Sequence, residues 1–307
     1  MLKISEEILK QIEAEIKRRG GNITSIDEFN KIAAEVTSRQ NRKANTNFEG
    51  LSPDQMHLLL NYPFSDRCCV RFKKVPETDP LLESPIMIAC KTILFNIDSG
   101  RGLKLTQKGN LPRKVVSQIY DLPLSPGEDY NHKPATVPNE LDYFPAAMAH
   151  ALLKLSKVVK TRNNSLHFTM EGKKCMQDNW LMFQSLFRTF TSIYNKGYFD
   201  YYGENNIGNL GLLFVIYLLD KFGDNKQESK FYAGLYFKAF SDLIREVSHI
   251  RYSSSELVAA DCFEHRVFTR GLSMFGLIEM QALQGKDFRF KYQLKVSPLF
   301  HKVFEFK

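Results

Sequence analysis

The stretch Leu103-Lys104-Leu105-Thr106-Gln107-Lys108-Gly109 returns further along the chain as Leu166-His167-Phe168-Thr169-Met170-Glu171-Gly172. The two share the pattern Leu-x-apolar-Thr-x-x-Gly. In each, alternating apolar and polar residues predict a short half-buried strand, and the threonine is placed to cap a following helix. Strand, cap and helix, stated twice in the same words, predict two related units.

Working outward from the first copy, Ile86 to Ile97 is apolar enough for a buried helix, and Ser99-Gly100-Arg101-Gly102 breaks it. Thr106 is then expected to cap a helix carrying Leu111, Val115, Val116, Ile119 and Tyr120, with Pro112 in its first turn, where a missing amide costs little. The second copy has a fuller setting. A helix is predicted from Pro145 to about Leu155. Val158-Val159-Lys160 and Ser165-Leu166-His167-Phe168 then flank the polar turn Thr161-Arg162-Asn163-Asn164, the pattern of a β-hairpin. A third, degraded echo closes the chain. A helix ends near Phe275-Gly276, Leu277-Ile278-Glu279-Met280 and Phe288 to Val296 flank a turn at Gln284-Gly285-Lys286, and Ser297 stands where the capping threonine stood, with Phe300 in place of the glycine.

Elsewhere the helix signals are local and clear. Ile4, Ile8, Leu9, Ile12 and Ile16 make one apolar stripe that Gly20-Gly21 ends. Ser25-x-x-Glu28 reads as a capping box, and Ser52-Pro53-Asp54-Gln55 as another with proline at the first helical position. After Trp180 the aromatic-rich segments around 181–194, 210–222 and 231–247 read as core-facing helices. Residues 121–142 contain Pro123, Pro126, Pro134 and Pro138 and five acids (Asp121, Glu128, Asp129, Glu140 and Asp142) against Lys133, which predicts an acidic linker or strap.

The expected fold is therefore mainly α with short β-hairpins, an α+β class. It comprises a helical region at 1–75, a first unit at 83–120, the linker at 121–142, a second unit at 143–200, and a helical region at 201–307 that ends in the third echo. The second unit, helix then hairpin then Thr-capped helix, resembles the wing and post-wing helix of bacterial winged-helix regulators. Together with Phe48 to Met56 and Gly102 to Val116, its phrase Ser165 to Cys175 resembles a family of uncharacterised bacterial proteins. The resemblance implies tandem winged-helix-like units and carries no activity with it. The first unit departs from the pattern, because 98–102 leaves almost no room for a full wing.

The chain has a net charge of +8, and its placement says more than its size. Arg101, Lys104, Lys108, Arg113 and Lys114 lie in an acid-free stretch at 99–120. Lys154, Lys157, Lys160, Arg162, Lys173 and Lys174 lie at 154–174 against Glu171 alone. These two stretches hold the entire positive excess. Lysine and arginine neutralise backbone phosphates and release counterions, and helix N-termini add amides aimed at the same anion. Lys104, Lys108, Arg113, Lys114, Lys160, Arg162, Asn163, Lys173 and Lys174 are accordingly the expected nucleic-acid contacts, with Arg162 and Asn163 at the wing tip. Double-stranded DNA is the expected partner. The alternative is a protein-interaction module, since winged helices also dock proteins.

Catalysis has little sequence support. The chain lacks a phosphate loop, a nucleophile elbow and a dinucleotide fingerprint, and no cofactor is implied. Asp261, Glu264 and His265 read as a helix-surface salt bridge. The five cysteines lack C-x-x-C spacing and read as buried reduced thiols, and the scattered histidines suggest no metal site. The longest apolar run, Leu210 to Leu219, is short of the ~20 residues of a membrane span. The charged start at Met1 to Glu7 lacks a signal-peptide core, so a cytoplasmic protein without a membrane partner is expected.

Overall fold

In the computed structural model of the chain, residues 2–23, 25–73, 80–122, 124, 136, 138–247, 253–283 and 291–307 are described. The protein is α+β: helices dominate, and the strands form small antiparallel sheets. The expected turn at Gln284 to Lys286 and most of the acidic linker lie outside the described residues.

Two helices open the chain, α1 (Leu2–Arg18) and α2 (Ile26–Asn41), the second capped by Ser25, whose hydroxyl accepts from Glu28 N at 3.2 Å. They form a hairpin with its own small core of Ile12, Ile32 and Val36, separate from the main one. Helix α3 (Pro53–Asn61) starts on a complete capping box, with Ser52 and Gln55 bonded reciprocally. Strand β1 (Val70–Phe72) waits for a partner at the other end of the chain.

Next come α4 (Pro85–Phe95), β2 (Leu103–Lys104), α5 (Arg113–Tyr120), α6 (Phe144–Leu155), β3 (Val159–Arg162), β4 (Ser165–Phe168) and α7 (Met170–Gln177). The hairpin turn falls on Asn163 and Asn164, both left-handed at φ 48° and 54°, as a tight two-residue turn requires. Thr169 caps α7, accepting from Gly172 N at 2.9 Å. Gly172 is obligatory, because a Cβ there would lie 1.9 Å from the Val158 carbonyl oxygen.

Two expectations change at this point. First, Thr106 does not cap a helix. Its hydroxyl accepts from Asn110 N at 3.0 Å and closes a turn with Gly109 at φ 80°, and α5 begins only after Pro112. Proline at 112 disfavours helical geometry at the residue before it, so the helix cannot reach back to the threonine. Second, the stretches 83–120 and 143–200 are not separate sheets. Strand β2 pairs antiparallel with β4 in the order β2-β4-β3, so Leu103 of the first phrase lies opposite Leu166 of the second. A two-residue strand cannot stand alone, and its only stable place is at the edge of the hairpin.

Helix α8 (Asn179–Ser192) follows, buried along Trp180, Met182, Phe183, Leu186, Phe187 and Phe190. The chain then repeats an arrangement. Helix α9 (Leu212–Phe222), β5 (Gln227–Glu228), α10 (Ser229–Ala239), α11 (Ser255–Phe263) running into a π-helix (Glu264–Leu272), β6 (Ile278–Leu283), β7 (Lys291–Val296) and α12 (Pro298–Val303) reproduce helix, strand, helix, helix, hairpin and capped helix. The sheet order β5-β7-β6 matches β2-β4-β3. Ser297 caps α12 through Phe300 N, as Thr169 caps α7 through Gly172 N. The third echo is thus the hairpin of a larger second unit that begins near residue 212.

Strand β8 (Phe304–Phe306) returns to pair with β1. One hydrophobic cluster runs through both units, with Phe187 at its centre touching Phe64, Phe72, Phe183, Phe190, Phe275 and Phe304. The units therefore fold onto one core. The five cysteines are buried and unpaired, and among the described residues no helix is long and apolar enough to cross a membrane.

Candidate nucleic-acid interface

Pairing in the first sheet decides where its charges go. Residues directly opposite in an antiparallel pair share a face, and the side-chain period along each strand is two. Lys104 lies opposite Ser165, which lies opposite Arg162, while Lys160 lies opposite His167. Lys104, Lys160, Arg162 and His167 consequently occupy the outward face, and Leu103, Val159 and Leu166 face the core.

The outward face is concave. A groove of about 550 Å³ is lined by Lys160, Arg162, Asn163, His167 and Phe168 on the sheet, Lys173 on α7, and residues 97–101 of the α4–β2 turn, including Arg101. That turn is rigid. Asp98 Oδ1 accepts from Gly100 N at 2.9 Å and Arg101 N at 2.8 Å, and those amides, Arg101's first, hold its carboxyl below the usual range. Gly102, at φ 73°, packs so tightly that a Cβ would lie 2.5 Å from the Leu166 oxygen and 2.7 Å from the His167 ring. Apart from Asp98 the groove is lined by neutral or basic groups. Among the described residues Arg101, Lys104, Lys160, Arg162 and Lys173 have no ion-pair partner.

The structure therefore gathers Lys160, Arg162, Asn163 and Lys173 around one groove, with Lys104 on the same sheet face. It does not bring the remaining expected contacts there. Lys108 sits exposed on the Thr106 turn, Arg113 and Lys114 are exposed in the first turn of α5, and Lys174 pairs with Glu171 at 3.4 Å. Arg101 and His167 line the groove but were not among the expected contacts. The signal for Arg101 was Asp-x-Gly-Arg-Gly, a side-chain-closed turn. The signal for His167 was its alternation with Ser165.

The helix before the hairpin, α6, is buried at Pro145 to His150, Leu152 and Leu153, with Lys154 and Leu155 alone exposed. A buried hydrogen-bonded pair fixes it: Glu140, at the end of the acidic linker, accepts from Leu111 N and lies 2.7 Å from His150 Nδ1. Glu140 is thus an internal anchor and is not available to cover the basic face. In the second unit the corresponding π-helix is held by Arg266, fully buried and bonded to Asp200 at 2.5 and 3.1 Å.

The expected Asp261 to His265 salt bridge does not form. The winding changes to a π-helix at Glu264, which breaks the four-residue spacing, and His265 lies half-buried against Tyr202. Burial pushes its imidazole down to about 4, aided by Arg270. Glu264 instead accepts from the Ser229 hydroxyl. Among the described residues no three His, Cys, Asp or Glu side chains cluster as metal ligands.

Residues 82–180 match the sequence profile of a family described as the Y4jL N-terminal domain. The matched span opens just before α4 and closes just after α7, so it frames the first unit as one piece. No curated protein and no solved structure matches the chain.

Proposed function

We propose that the protein is a non-catalytic, cytoplasmic nucleic-acid-binding protein whose first unit grips backbone phosphates. The helix, strand, helix, helix, hairpin order of both units supports a winged-helix reading, in tandem, with boundaries near 85–177 and 212–303. The observation that carries the function is the outward face of the first sheet: Lys104, Lys160 and Arg162 stand together beside Arg101 and Lys173, none of them in a salt bridge, with Asp98 the one carboxylate in the groove. Like charges gathered at one concavity repel one another, and an anion relieves that repulsion. With α6 buried, binding goes through phosphates and is independent of sequence.

The test is binding to mixed-sequence nucleic acid as salt is varied. Wild type should lose affinity steeply with salt, and replacing Arg162, Lys173 and Lys174 by alanine should flatten the slope by roughly 0.9 per lost duplex phosphate contact. Lys174, already paired, should contribute least. Absence of salt-sensitive binding to any nucleic acid would remove the reading.

A protein-docking module is the second reading, favoured by the segment between the units. There Ile193, Tyr198 and Tyr201 are exposed by 61%, 73% and 103%, on a loop clamped by the buried Asp200–Arg266 pair. Projecting tyrosines on a rigid loop are common anchors in protein interfaces.

A further inference from the structure

We infer that the groove of the first unit takes a single strand of nucleic acid in preference to a duplex. This rests on the phosphate-binding reading above and narrows it to one class of ligand. The decisive feature is shape. A flat or convex basic stripe follows the outside of a duplex, whereas these cations surround a hollow of about 550 Å³. That volume falls in the ~300–1,000 Å³ range of pockets that enclose compact ligands, enough for one or two nucleotides. A duplex, much wider than such a hollow, would be held only at its edge.

The lining has the composition a strand requires. Arg101 and Lys173 line the hollow together with the sheet cations Lys160 and Arg162, and the ring of His167, on the same sheet face as those two, lines it with them. Single-strand sites pair a cationic track for phosphates with rings on which bases stack. The turn at 98–102 forms the wall opposite the sheet. It is fixed by the Asp98 side chain and by the contact of Gly102 with the His167 ring, so the hollow is built into the backbone. Both α6 and the π-helix are meanwhile committed to the core.

The experiment uses the full chain and fluorescence anisotropy with labelled oligothymidine, oligouridine and a mixed duplex of equal length, at matched salt. Single strands should bind about tenfold more tightly than the duplex. Arg101→Ala, on an exposed turn where folding is undisturbed, should weaken single-strand binding about tenfold and duplex binding much less. Gly102→Ala serves as a second variant that keeps every charge. By pushing the turn off His167 it should reduce single-strand binding while leaving residual salt-sensitive duplex binding. If one of the two strand chemistries binds alone, the groove selects between RNA and DNA and the inference holds. Equal or tighter duplex binding, unaffected by Arg101→Ala, overturns the inference and leaves the phosphate reading standing. Loss of salt-sensitive binding to all three probes in the wild type overturns both.

Discussion

The two sheets of this protein share one strand order and one register, and they present opposite chemistry. Aligned by their pairing, Lys104 corresponds to Glu228, Lys160 to Glu279, Arg162 to Gln281 and His167 to Lys295. The first outward face carries cations without partners. The second carries two carboxylates and Lys295, which pairs with Glu279 at 2.9 Å, and its hollow is about 220 Å³ against about 550 Å³. The inward faces, by contrast, are mostly apolar in both, with Leu103, Val159 and Leu166 in the first and Ile278, Leu294 and Val296 in the second. Packing constrains one face of each sheet and leaves the other free to diverge.

The sharpest way to break that comparison is to exchange the faces. Lys104→Glu, Lys160→Glu and Arg162→Gln together should abolish salt-sensitive nucleic-acid binding, while unfolding stability changes little, because exposed substitutions usually stay within ~0.5 kcal/mol each. The reverse exchange, Glu228→Lys with Glu279→Lys and Gln281→Arg, should create binding at the second sheet. Retention of full affinity by the first variant would show that the face is not the site.

A second comparison is between the anchors of the two third helices. Arg266→Ala leaves Asp200 buried without its cation and should cost about 3–5 kcal/mol in denaturant unfolding. His150→Ala leaves Glu140 its bond from Leu111 N and should cost about 1–3 kcal/mol. Equal losses would mean the units are anchored alike. A third concerns the capping phrase. Gly172→Ala meets the Val158 carbonyl and should cost about 1–3 kcal/mol, although the second unit holds fully buried Phe300 at the matching position.

The last comparison is a pH dependence private to the second unit's side of the molecule. Burial, with the charge of Arg266 adding, pushes the Lys196 ammonium from 10.5 down to about 7. Between about pH 7 and 10.5 the unfolded chain holds this proton and the folded one does not, so stability rises with pH across that window. Lys196→Met should remove that rise, measured as the difference in unfolding free energy between pH 7 and about pH 9. An unchanged rise would assign it to another group.

Much of the local structure was legible because its causes are local. Ser25, Ser52, Thr169 and Ser297 each cap the helix that follows, and Asn163-Asn164 makes the hairpin turn. The reading of Thr106 went astray because a Thr-x-x-Gly phrase suits a turn as well as a cap, and only Pro112 decides between them. Strand β5, a Gln-Glu pair without alternation, gave no signal at all, so the second unit appeared as its hairpin alone. Of the groove, the sheet and α7 residues Lys160, Arg162, Asn163 and Lys173 were legible from charge and turn chemistry. Arg101 and His167 were not, because their membership depends on which strand lies beside which.

The sequence by itself determined the helices, their caps, the hairpin and the confinement of positive charge to two stretches, since each depends on neighbours within a few residues. Tertiary structure alone decided that those stretches share one sheet, that Arg101, Lys160, Arg162 and Lys173 line one groove, and that the helix before the hairpin is buried. Strand pairing joins residues some sixty positions apart, as Leu103 meets Leu166. The hydrogen bonds of such a pairing are the same for any two backbones, so the choice of partner falls to the packing of the whole core.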